Sequence, residues 1–82
     1  MRYFLTCKSL TYAQRSSRIL ERSGISNTIV KSPPVISDRG CGYSVSVNLK
    51  NGRRAAEILR SNNLFGKMFL QTDENGFREE ML

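Results

Sequence analysis

The sequence predicts an α+β fold with elements in the order β-α-β-β-α-β. Three observations predict it. Short β-rich runs, "RYFLTC", "NTIVK", "GYSVSVN" and "KMFLQ", are bounded by turn or helical sequence. Two segments, opening near Ser9 and Asn51, repeat small and apolar residues at helical spacing. The run 42–48 alternates with period two, as a strand with one covered face does.

The elements follow in order. Residues 2–7 form the first strand. The Ser9 hydroxyl then caps a helix by accepting from its first free N–H groups. Tyr12, Ala13, Ser16, Ile19 and Leu20 make the inward face of that helix, and Arg15, Arg18 and Arg22 the outward one. Gly24 stops it. Residues 27–31 form a short β-branched strand. "SPPVISDRG" (32–40) is a loop, because its two prolines forbid a regular element. In the third strand Tyr43, Val45 and Val47 share one face, and Ser44, Ser46 and Asn48 the other. "NGRRAAEILRSNN" (51–63) is the second helix, with Ala55, Ile58 and Leu59 inward. Residues 67–71 form the last strand.

Two helices on one face of a four-stranded antiparallel sheet is the ferredoxin-like arrangement, with spatial order 4-1-3-2. Its open face is expected to expose Ser44, Ser46 and Asn48. Residues 1–72 read as a single domain, and residues 73–82 as an acidic C-terminal tail, frayed beyond a turn at Asn75-Gly76.

Composition narrows the function classes. At 82 residues the core is thin. No apolar run is long enough to span a membrane, and "MRYFLTCKSL" is too quickly polar for a secretory signal. A cytoplasmic protein is therefore expected. Two cysteines are too few for a disulfide scaffold, and with no histidine a four-ligand zinc site within one chain is not expected. No metal or cofactor is expected. The net charge is +6, and residues 1–72 hold twelve Lys/Arg against three acids. Such a body suits an anionic partner, or simply a solvated surface.

The topology brings the two cysteines to one place. The first and third strands are antiparallel neighbours, so the end of one meets the start of the other. Cys7 and Cys41 then share a sheet edge, where the first helix also begins. A helix N-terminus and cations such as Lys8 and Arg39 lower a thiol pKa. Gly40 and Gly42 flank Cys41 with no side chains, which lets a bulky partner approach. Two readings of Cys41 stand at this point: a reactive thiol, or a small buried residue at a strand start. Cys7, without glycines beside it, reads as core filler or as a thiol that resolves an oxidised Cys41.

These residues resemble a family. "FLTCKSLTYA", "ILERSGI" and above all "RGCGYSVSV" are similar to the selenium/sulfur carrier protein-like family of small bacterial domains, over residues 2–71. The resemblance implies that Cys41 carries sulfur or selenium as a persulfide or selenosulfide. It implies a donor such as a cysteine desulfurase, and an acceptor that it does not name. The sequence departs from the family pattern at Cys7 and Lys8, where an aromatic and a histidine are expected, and at Ser17, where an acid is common. No second site residue is therefore carried over. The absence of an obvious general acid suits a carrier better than a self-sufficient enzyme.

Two other functions compete. The basic body suits nucleic acid, bound non-specifically through phosphates. RNA-recognition sheets stack bases on aromatics of their central strands. Here the sequence offers only Phe4 outward, so the aromatic platform is expected to be missing. An interaction module is the other possibility. Leu64 and Phe65 would form its contact patch, unless they close the core. Arg53 and Arg54, against the dipole of the second helix, would then mark an anion or an acidic partner.

Overall fold

The computed structural model describes residues 2–36, 42–74 and 76–80. The elements are β1 (Arg2–Cys7), α1 (Leu10–Arg22), β2 (Thr28–Lys31), β3 (Tyr43–Asn48), α2 (Gly52–Ser61), β4 (Met68–Gln71) and β5 (Phe77–Glu80). The strands form one antiparallel sheet with neighbours in the order β2-β3-β1-β4-β5. The sheet thus has five strands where the sequence predicts four. The extra one comes from the acidic tail: Phe77–Glu80 pair with Met68–Gln71 instead of fraying. The free edge of β4 supplies the backbone partners, and these outweigh the poor β-propensity of "FREE".

Local chemistry sets the helix ends. Ser9 is extended, and its hydroxyl accepts from the Tyr12 N–H at 3.4 Å, as the sequence predicts. Both helices finish in a Schellman motif. After α1, Gly24 takes φ +79°, its N–H reaches the Glu21 carbonyl, and the Ile25 N–H reaches that of Leu20. After α2, Asn63 takes φ 58°, and Leu64 bonds back to Leu59. The residue after each left-handed turn is thereby aimed at the core. Ile25 is buried, and Leu64 packs against the buried cluster with Phe65. Leu64 and Phe65 therefore close the core and form no contact patch.

One cluster joins the helices to the sheet: Leu5, Val45, Val47 and Met68 from strands, with Leu20 and Leu59 from helices among its largest members. Two expected faces need correction. Tyr12 is exposed instead of inward, and its ring carries Lys8 Nζ and the Arg15 guanidinium, each 5.9 Å from the centroid. At that position the cations hold the ring outward, and the buried face of α1 runs Ala13, Ser16, Ser17, Leu20. Ser44 and Ser46, expected to be exposed, are 0% and 3% exposed, and Asn48 is half-buried. β3 is an inner strand, and a serine is short enough to be shaded by its neighbours. Ser46 lies between Phe4 and Thr28. It also receives Arg2, whose Nε donates to its hydroxyl and Nη2 to its carbonyl.

Gly52 opens α2 against Tyr3, so closely that a Cβ there would overlap the Tyr3 ring. Gly52→Ala is expected to lower stability by about 1–3 kcal/mol, as overpacking does, although alanine is the better helix former. The check is the urea midpoint. An unchanged midpoint would mean that the Tyr3 ring swings aside without loss.

Candidate functional site at the Cys7–Gly42 edge

β1 ends, β3 begins and α1 begins at one edge of the sheet. Cys7 is paired with Tyr43 across β1 and β3, and Ser9 caps α1 two residues after Cys7. Gly42 sits against this pair. A Cβ on Gly42 would stand 3.8 Å from the Cys7 carbonyl oxygen, an ordinary contact. What demands glycine there is the backbone, at φ +144°.

A polar clamp fixes the joint. The Ser32 N–H donates to the Gly42 carbonyl at 3.0 Å, and the Ser32 and Ser44 hydroxyls share a hydrogen bond of 2.6 Å. Both serines are buried. The end of β2 is thus tied to the start of β3 through side chains as well as backbone. Sequence reasoning misses this pair, because alternation alone places Ser44 outward, into solvent. The signal was available in the β2–β3 register, which sets Val30 opposite Ser44 and brings Ser32 alongside.

Cys7 is a core residue. It is 9% exposed, and its thiol donates to the Leu5 carbonyl at 3.7 Å and to the Ser16 hydroxyl at 3.9 Å. Burial pushes its pKa up, and the Ser16 hydroxyl opposes this by less. The sign for stability follows. The folded state holds the proton to higher pH than the unfolded state does. The Cys7 contribution is therefore complete below the ordinary thiol range, and it falls as pH rises through that range toward the folded pKa. Cys7→Ala is expected to flatten this alkaline loss, read as urea stability against pH. An equal loss in the variant would place the titrating group elsewhere.

The other predicted site residues divide. Ser9 caps α1, as expected. Lys8 is exposed, with its ammonium over Tyr12. Arg39, Gly40 and Cys41 lie outside the described residues. Among the described residues no group of three His, Cys, Asp or Glu is placed to hold a metal ion. None of the described helices is long and apolar enough to cross a membrane.

Charge gathers on the helix layer. Arg15, Arg18 and Arg22 of α1 and Arg53, Arg54 and Arg60 of α2 are all exposed. Arg54 Nη2 donates to the Ser23 carbonyl at 3.4 Å, which brings the start of α2 to the end of α1. On β5, Arg78 pairs with Glu80.

A model of the "Putative Se/S carrier protein-like" family matches residues 2–69. Nothing matches among the curated proteins or among the solved structures. The match runs from the first residue of β1 into β4, leaving β5 outside it, and takes in the whole Cys7–Gly42 edge. The chain belongs to the Putative Se/S carrier protein-like family.

Proposed function

We propose that the chain carries sulfur or selenium on Cys41, as a persulfide or selenosulfide. The family match carries the reading, because it spans Gly40, Cys41 and Gly42. The geometry of Gly42 supports it. Cys41 is bonded directly to a glycine whose positive φ and hydrogen bond to Ser32 anchor the joint. We read the frame around that joint as a ferredoxin-like unit, built from the first four strands and extended by β5.

The transfer needs no redox partner. The Cys41 thiolate attacks the outer sulfur of a donor persulfide, such as that of a cysteine desulfurase. The donor S–S bond breaks, the donor thiolate leaves, and Cys41 holds S–SH. An acceptor nucleophile then attacks the outer sulfur, and the Cys41 thiolate leaves. Selenium moves by the same two displacements. A thiol with a lowered pKa serves both steps, as an available nucleophile and as a good leaving group. Arg39 and the start of α1 are the groups in this reading that would lower it. Cys7, inside the core, is a resolving thiol only if the edge opens.

The test is intact mass of the chain purified without reductant, followed by peptide mapping. An adduct of one sulfur or selenium atom on Cys41, released by a thiol reductant, is expected. An adduct confined to Cys7 would contradict the proposal.

A further inference from the structure

The face of the sheet away from the helices carries an aromatic cluster that sequence reasoning expects to be missing. Phe4 and Phe69 are direct partners across β1 and β4. The Phe77 ring, on β5, meets Phe4 edge-on, with centroids 5.3 Å apart and planes at 76°. All three rings are half-buried. Their chain neighbours Leu5 and Met68 belong to the core, so the rings point the other way.

The surround of these rings is polar. Arg2 shares the face at the start of β1, and Lys67 lies at its other end, its carbonyl accepting from the Thr6 N–H. Among the described strand residues the one carboxylate of this face is Glu79, directly opposite Phe69. A ligand with flat π-faces and a repeating negative charge fits rings that have Arg2 toward one end of β1 and Lys67 at the other. Aromatic side chains on a sheet with cations beside them are how single-stranded nucleic acid is held without a base code.

We infer that the Phe4–Phe69–Phe77 face binds single-stranded nucleic acid, with bases stacked on the rings and phosphates on Lys67 and Arg2. The site does not rest on the carrier reading, since the rings lie on the sheet face away from the helices and Cys7 is buried in the core. It differs from an RNA-recognition sheet, because β3 contributes serines and the platform lies on β1, β4 and β5.

The experiment is fluorescence anisotropy with a labelled oligouridylate and a labelled oligothymidylate at low salt, using the whole chain. Both probes are expected to bind, and added salt should weaken binding. Phe69→Leu keeps apolar bulk but loses the stacking ring, and should weaken binding at least about fivefold. Its urea midpoint shows that the fold is kept. Lys67→Gln should weaken binding and Glu79→Gln should tighten it, while Cys41→Ser should leave it unchanged. Absence of binding to either probe at low salt overturns the proposal. So does a Phe69→Leu and Lys67→Gln pair that binds like the parent, with loss only in Arg53→Gln and Arg54→Gln, since the phosphates would then sit on the helix layer.

Discussion

Cys41→Ser is expected to abolish the fast phase of thiol alkylation in the folded protein, and Cys7→Ser to leave it intact. Cys7 is buried in the core cluster, and its pKa is raised by that burial. A raised pKa leaves less thiolate, which is the reacting species. A reagent must in addition wait for the edge of the sheet to open. Both effects act in one direction, so Cys7 should react markedly more slowly than an ordinary exposed thiol. A fast phase that survives in Cys41→Ser would put the reactive thiol in the core and remove the basis of the carrier reading. Denaturant supplies the control, because unfolding should bring Cys7 up to the ordinary rate.

Leu5→Ala is expected to destabilise the fold by about 2–5 kcal/mol. Leu5 is 0% exposed on β1, between Val45 of β3 and Met68 of β4, and belongs to the buried cluster that both helices cover. The walls of the resulting cavity are strands hydrogen-bonded on both sides, which cannot collapse into it. The loss is a large part of the roughly 5–15 kcal/mol that holds a small domain folded. Leu49→Ala is the contrast, since Leu49 is 47% exposed and should change stability by less than about 0.5 kcal/mol. Urea unfolding of both variants checks the pair. Similar midpoints would mean that β1 is not the centre of the core.

Much of this architecture was legible because local chemistry and pattern agree. Ser9 caps α1, Gly24 ends it, and the inward phase of Leu5 and Cys7 follows from β1 alternation. What was not legible depends on neighbours that no single segment contains. "FREE" has little strand character of its own and becomes β5 only because β4 offers an edge. "KMFLQ" is a continuous apolar run whose phase cannot be read alone, so nothing in the sequence sets Phe69 beside Phe4. Ser44 is buried because Ser32 arrives from another strand. The Cys41 site was legible as a motif, glycine on both sides of a thiol before an alternating strand. The family match covers that motif, while Arg39, Gly40 and Cys41 themselves lie outside the described residues.

Sulfur transfer onto Cys41 can be followed with labelled cysteine. The Cys7→Ser chain is incubated with a cysteine desulfurase and cysteine labelled in its sulfur, separated without reductant, and mapped by peptide. One reductant-releasable label is expected on the peptide containing Cys41, and its loss when a thiol acceptor is added. A chain that takes up no label while the desulfurase persulfide is shown to form, or that carries it anywhere other than Cys41, would contradict it.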